Sequence, residues 1–96
     1  MRKITEQAAR AFHSAQPFKK SNTEVEVHDR DVLLKLHGHA IAWWNTFTGD
    51  YEVTLAGWPT PTTRERLNGL EGVHATQRNG IQYLNGNAWD GRWTKV

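Results

Sequence analysis

The chain has 96 residues and no cysteine, so we expect one small domain over residues 1–96, without disulfides, thiol catalysis or cysteine-ligated zinc. Only 38% of the residues are apolar and no apolar run is long enough to cross a membrane, so neither a membrane segment nor a secretory signal is expected. The net charge is +2, but residues 21–60 hold two basic and six acidic residues and the flanking segments are basic, which argues against a uniformly basic nucleic-acid-binding surface.

The first predicted element is an amphipathic helix. Apolar residues recur at three- and four-residue steps from Ile4 to Ala15, which predicts a helix over residues 4–15. Thr5 is the predicted N-cap, because a threonine hydroxyl can accept a hydrogen bond from the first turn. Pro17 ends the helix, and residues 18–22 are predicted to be a connection.

Four strands are predicted next, over residues 24–28, 32–37, 40–44 and 51–55. The first and the last of these alternate strictly between polar and apolar residues, which is typical of half-buried strands. Gly38–His39 interrupts the apolar run between the second and the third strand. We interpret this pair as a type II′ hairpin turn, with a β-bulge as the alternative.

A second helix is predicted over residues 61–69. Pro61 suits the first helical position, and Thr62 with Glu65 has the spacing of a capping box. Beyond it, Asn79–Gly80 separates two extended segments, which is a strong hairpin signal. Residues 85–93 are predicted to be a turn-rich tail.

The predicted element order is therefore αββββαββ. This order indicates an α+β fold with a mostly antiparallel sheet of about six short strands and two helices on one face of it. The strand order within the sheet does not follow from the sequence.

The five tryptophans are more than the core of so small a domain is expected to hide. Trp43 and Trp44 are neighbours on a predicted strand, so their rings must point to opposite faces. The simplest interpretation of Trp58 is a ring that fills the corner between helix and sheet. Because tryptophan and arginine dominate interface energetics, the predicted partner-binding residues are Trp43, Trp44, Trp58, Arg64, Arg66, Trp89, Arg92 and Trp93.

Catalytic and metal-binding patterns are weak in this sequence. His28, His37 and His39 could hold zinc with Asp29 or Asp31, and the two aspartates with Lys35 could form a hydrolytic site. Polar turn residues explain the same pattern more simply. No nucleophile elbow or phosphate-binding loop is present. We therefore expect no catalytic residue, no metal and no cofactor.

A nucleic-acid-binding surface is the alternative to a protein-binding one. Arg64, Arg66, Arg78 and Arg92 could form a basic face with the neighbouring aromatic residues, which would contact phosphates and stack on bases. The helical members of this set could equally be ordinary solvated residues.

Several segments resemble a group of small bacteriophage proteins. The similarity includes Leu36–Ala42 (LHGHAIA), Leu55–Leu70 (LAGWPTPTTRERLNGL), Tyr83–Gly86 and Trp89–Gly91, and His39 stands where the motif of the group has asparagine. The resemblance implies an early or accessory protein made in the cytoplasm of an infected bacterium. Together with the surplus tryptophans, it leads us to expect a non-catalytic protein that binds and modulates a host protein, most simply as an inhibitor in host takeover. A role in the virion is a further alternative.

Overall fold

The computed structural model describes all residues from 1 to 96 and contains two helices and two antiparallel sheets. The elements in chain order are α1 (Lys3–His13), β1 (Phe18–Lys20), β2 (Thr23–His28), β3 (Asp31–Leu36), β4 (His39–Asn45), β5 (Tyr51–Val53), α2 (Pro61–Leu67), β6 (Ala75–Arg78), β7 (Ile81–Leu84), β8 (Asn87–Ala88) and β9 (Thr94–Lys95). The larger sheet has the strand order β1-β2-β3-β4-β5-β9, and the smaller one has the order β6-β7-β8. This arrangement confirms the predicted α+β class.

The two faces of the larger sheet differ sharply in composition. Val25, Leu34, Ala42 and Val53 lie side by side on four adjacent strands, and all four are buried under the helices. The neighbouring register row contains Glu26, Leu33, Trp43 and Glu52, which point to the opposite face and are only partly covered. The period of two in the sequence therefore places one row in the core and the other at the surface.

The structure has nine strands, three more than the six predicted. The additional strands are β1, β8 and β9, which have only two or three residues each. Segments this short carry no readable alternation. The last one, β9, pairs with β5 from more than forty residues away in the chain, and such a non-local contact leaves no local pattern. Of the predicted turn-rich tail over residues 85–93, only β8 (Asn87–Ala88) is strand, and β9 follows the tail.

Both predicted helix caps are wrong. Arg2 is the N-cap of α1 without a side-chain hydrogen bond, and Thr5 is instead buried inside the helix. In α2 the N-cap is Thr60, whose hydroxyl accepts a hydrogen bond from the backbone N–H of Thr63. Pro61 at the first helical position, as predicted, fixes the preceding residue as the cap.

A buried arginine joins three elements of the fold. The Arg66 side chain on α2 is only 2% exposed, and its guanidinium donates to the Thr23 hydroxyl on β2 at 2.9 Å and to the Thr5 hydroxyl on α1 at 3.0 Å. It also pairs with the carboxylate of Glu65 at 3.0 Å, and Thr5 donates to that same carboxylate. A buried guanidinium is tolerated only with such partners.

The end of α1 is attached to the segment after α2 through His13. The imidazole Nε2 of His13 accepts a hydrogen bond from the backbone N–H of Glu71 at 3.0 Å, so that nitrogen is unprotonated. The Tyr51 hydroxyl donates to the Glu71 carbonyl at 2.7 Å. Burial lowers the pKa of His13, although the nearby Glu71 carboxylate acts in the opposite direction.

Replacing Arg66 with methionine is expected to lower the free energy of unfolding by roughly 2–4 kcal/mol, because the buried hydroxyls of Thr5 and Thr23 and the carboxylate of Glu65 each lose a charged hydrogen-bond donor. Urea denaturation followed by circular dichroism measures this loss. The control is Arg92→Met, which removes an ion pair from an exposed side chain and should change stability by less than about 1 kcal/mol. Equal stability of both variants would contradict the role assigned to Arg66.

The His13 contact predicts a defined acid sensitivity. Because the pKa of His13 is lowered on folding, the unfolded chain binds more protons between that lowered value and about 6.5. The contribution of His13 to the free energy of unfolding is fully present above the pKa that His13 has in the unfolded chain. It is lost as the pH falls through the lower pKa that His13 has in the folded protein. His13→Gln keeps a side-chain acceptor but cannot titrate, so its free energy of unfolding should fall less steeply between pH 7 and pH 5. Parallel slopes would refute this assignment.

Candidate partner-binding cleft

A cleft in the surface lies at the end of the sheet where β3 turns into β4. Its volume is about 350 Å³, and we call it the Trp58 cleft. The apolar side chains of Leu36, Ile41 and Leu55 line it, and all three are at least 95% buried. The remaining lining residues are His37, His39, Trp58, Thr60, Thr62 and Thr63. The cleft is thus apolar inside and has imidazole, indole and hydroxyl groups around it.

Trp58 is held at the surface by the segment between β5 and α2. Ala56 and Gly57 both have positive φ, at 54° and 79°, which turns the chain sharply after Leu55. The backbone N–H of Trp58 then donates to the Leu55 carbonyl at 2.8 Å, and its carbonyl accepts from Thr60 N–H at 2.8 Å. As a result 58% of Trp58 is exposed. The interpretation of Trp58 as a ring filling the helix–sheet corner is therefore wrong.

The two histidines come from a tight turn opposite Trp58. His37 and Gly38 both have positive φ, at 52° and 80°, and Leu36 pairs with His39. This is the geometry of a type I′ turn centred on His37–Gly38, so the predicted type II′ turn at Gly38–His39 is wrong by one residue. The shift places His39 on β4 with its ring centroid 6.1 Å from that of Trp58. No pattern in the sequence indicated that these rings are neighbours.

The Trp58 cleft has the Arg64 side chain beside it and no acidic residue in its lining. The Arg64 guanidinium donates to the carbonyl of Pro59 at 3.1 Å and to Oε1 of Gln82 at 3.1 Å, which fixes it next to the loop that carries Trp58. No aspartate or glutamate lines the cleft. The electrostatic environment therefore favours a neutral or acidic partner over a basic one.

Two of the predicted partner-binding residues are buried. Arg66 is 3% exposed and belongs to the network with Thr5 and Thr23, and Trp89 is 9% exposed with its indole N–H bonded to Thr94 at 2.9 Å. Neither side chain is available to a partner at the surface of the folded chain.

The adjacent tryptophans of β4 point to opposite faces, as predicted. The indole N–H of Trp43 donates to Asp31 at 2.9 Å on the open face of the sheet, and this hydrogen bond is the main reason why the pKa of Asp31 is lowered. Trp44 donates to the carbonyl of Phe12 at 2.8 Å on the helix side. Both rings are half-buried and hydrogen-bonded within the chain.

The remaining predicted residues lie in the tail. Trp93 is 46% exposed, and Arg92 has an 85% exposed side chain paired with Asp90. The tail passes next to the Trp58 cleft, because Leu55 N–H donates to the Gly91 carbonyl at 2.9 Å. Neither Trp93 nor Arg92 lines the cleft.

The four arginines of the predicted basic face lie in different environments. Arg66 is buried, Arg64 is bonded to Pro59 and Gln82, Arg92 pairs with Asp90, and Arg78 lies 5.9 Å from the ring centroid of Tyr83. The histidine and aspartate residues considered for metal binding form no group of three or more that could hold a metal ion. Neither helix has the length and apolar character needed to cross a lipid bilayer.

Sequence reasoning missed one exposed aromatic residue. Phe47 is 72% exposed at the tip of the β4–β5 loop, with the Arg30 guanidinium 4.3 Å from its ring centroid. The side chain of Asn45 holds this loop by accepting from the backbone N–H groups of Phe47 and Thr48. Phe47 lies at the opposite end of β4 from His39 and therefore far from the Trp58 cleft.

Comparison with known proteins identifies the family. The model of the Kyanoviridae Gp96 protein family matches residues 1–94. The chain belongs to this family. It is a bacteriophage protein, which agrees with the resemblance noted in its sequence. No curated protein and no solved structure matches this Gp96 family protein.

The exposure of the indoles can be tested by fluorescence quenching. Trp58 is more exposed than any other tryptophan, so Trp58→Phe should remove the most accessible emission and lower the acrylamide Stern–Volmer constant. Trp44→Phe removes a half-buried ring and should not lower it. A Trp58→Phe variant that is quenched as strongly as the unmodified protein would show that this indole is covered.

Proposed function

We propose that this Gp96 family protein is a non-catalytic early or accessory protein of the phage that binds and inhibits a host protein in the cytoplasm of the infected cell. The observation that carries the proposal is the Trp58 cleft, in which an apolar lining lies beside a 58% exposed indole. Exposed tryptophan is costly in a free surface and is enriched where partners bind.

The cleft is suited to one side chain of a partner protein. Its volume of about 350 Å³ is at the lower end of small-molecule sites, which span about 300–1,000 Å³. The hydroxyl group of Thr62 and the imidazole of His39 line the cleft and can bond a peptide backbone around an apolar side chain. Arg64 next to the cleft, with no carboxylate in the lining, favours an acidic residue beside it. We therefore propose a leucine or aromatic anchor flanked by aspartate or glutamate.

The alternative of nucleic-acid binding has less support. Of the four arginines of the predicted basic face, Arg66 is buried, and Arg64 and Arg92 are bonded within the chain. Of the neighbouring aromatic residues, Trp89 is buried. A direct test is a gel shift with single- and double-stranded DNA and RNA. Binding at low salt that falls steeply with salt concentration and survives Trp58→Ser would favour nucleic acid and overturn the proposal.

The main experiment compares matched variants in infected cells. Tagged unmodified protein, Trp58→Ser and Phe47→Ser are purified from the phage host, and the host protein whose recovery depends on Trp58 but not on Phe47 is then produced alone. Both substitutions replace an exposed aromatic residue with serine, and they do so at opposite ends of the sheet. A nonspecific effect of removing apolar surface should therefore be similar in the two variants.

Affinity for that purified host protein decides the outcome. Calorimetry should show Trp58→Ser binding at least tenfold more weakly, since interface tryptophans contribute about 2 kcal/mol or more, and Phe47→Ser binding unchanged. Arg64→Glu should weaken binding more than Arg92→Glu. If no host protein depends on Trp58, or if Trp58→Ser binds with unchanged affinity, the cleft is not the binding site.

A further inference from the structure

A second recess lies at the other end of β4, on the helix side of the sheet. It has a volume of about 320 Å³ and is lined by His13, Trp44, Gly49, Tyr51 and Glu71. We call it the Trp44 recess. It shares no residue with the Trp58 cleft, and nothing in the proposed function uses it.

The aromatic lining of the Trp44 recess is fixed by hydrogen bonds. Trp44 and Tyr51 are directly paired across β4 and β5, the indole N–H is bonded to the Phe12 carbonyl, and the Tyr51 hydroxyl is bonded to the Glu71 carbonyl. The His13 ring lies edge-on to Tyr51 at 6.1 Å between centroids. Three aromatic rings therefore line one space, and an electron-rich ring face presented to that space can attract a cation.

The charges of the Trp44 recess have one sign. Glu71 supplies a carboxylate, and it is exposed while its backbone N–H and carbonyl make the fixed contacts to His13 and Tyr51. No lysine or arginine lines the recess. His13 is uncharged at neutral pH, because burial lowers its pKa and because Nε2 accepts the Glu71 N–H. The Tyr51 hydroxyl stays protonated, since burial raises its pKa.

We propose that the Trp44 recess is a binding site for an organic cation, either a free quaternary ammonium compound or the ammonium group of a lysine side chain. Aromatic rings can bind an ammonium group through cation–π attraction, and a carboxylate at the edge of the site balances the charge without a buried ion pair. The rings contact the alkyl groups, and the Glu71 carboxylate neutralises the charge from the open side.

The probes are choline, its uncharged isostere 3,3-dimethylbutan-1-ol, and Nα-acetyl-lysine methylamide. Binding is followed in two-dimensional ¹H–¹⁵N NMR spectra, in which each indole N–H gives a separate signal. The Trp44 indole and the amides of Gly49 and Glu71 should shift with saturation, and the Trp58 indole should not. Because Trp58 reports the other cleft, failure here is distinguishable from failure of the proposed function.

Glu71 provides variants that leave the fold intact, because only its backbone bonds to the rest of the chain. Glu71→Gln should weaken choline binding roughly two- to fivefold, as removal of an exposed charge partner does, and Glu71→Lys should abolish it. Glu6→Gln on the exposed side of α1 is the matched control and should bind like the unmodified protein.

The relative response to the probes identifies the source of the cation. Stronger binding of choline favours a free quaternary ammonium ligand, and stronger binding of the lysine derivative favours a partner side chain; both support a cation site. The proposal is overturned if neither cation gives saturable shifts at Trp44, if the uncharged isostere binds as well as choline, or if Glu71→Lys binds choline as the unmodified protein does.

Discussion

The placement of Arg66 is the constraint on which the rest of the structure depends. One guanidinium in the interior joins α2 to α1 through Thr5 and to the sheet through Thr23. Removing this charge from water is costly, and the cost is offset only while all partners keep their positions. The helices can approach this closely because Gly69 has no side chain: a Cβ at this position would overlap the methyl group of Thr5.

This fixed arrangement determines where the two ends of the sheet lie. The β4 strand has Ile41 at the Trp58 cleft and Trp44 at the Trp44 recess, so one rigid strand positions both. Backbone hydrogen bonds hold the turns at both ends of β4. The N–H of His37 donates to the carbonyl of Asn22 at one end, and the N–H of Thr46 donates to the carbonyl of Arg30 at the other, each at 2.8 Å. Because the cleft and the recess share no lining residue, each can be occupied without direct competition from the other.

Sequence patterns predicted the fold class and the longer elements, because strict alternation and helical spacing are local signals. The Asn79–Gly80 hairpin, which joins β6 to β7, is a case of this kind. The short strand β9 pairs with β5 across most of the second half of the chain, and no local signal encodes that contact. The Trp58–His39 contact was likewise unpredictable, since it depends on a turn being displaced by one residue.

The wrong predictions of Thr5 as a helix cap and of Arg66 as a partner-binding residue have one physical cause. Thr5, Ala8, Ala9 and Phe12 form the buried stripe of α1 at helical spacing, and Thr63, Arg66, Leu67 and Leu70 form the buried side of α2 and its C-terminal turn. Both stripes contain polar members, which an apolar pattern ignores. The network could have been predicted from one signal. Each helix has a polar residue at the same helical phase as its apolar stripe, and the two side chains offer complementary donor and acceptor groups.

Hydrogen bonding of the indole N–H groups divides the five tryptophans in the same way as their exposure does. Trp43, Trp44 and Trp89 each donate to an acceptor within the chain, so a partner that moved these rings would first have to break a hydrogen bond. Trp58 and Trp93 have no such bond, and of these two only Trp58 lines the Trp58 cleft. A partner that covers this ring must supply an acceptor, because a buried indole N–H without one is destabilising. In the proposed complex, a carboxylate or backbone carbonyl next to the apolar anchor would meet this requirement, and a carboxylate there would also suit the neighbouring Arg64.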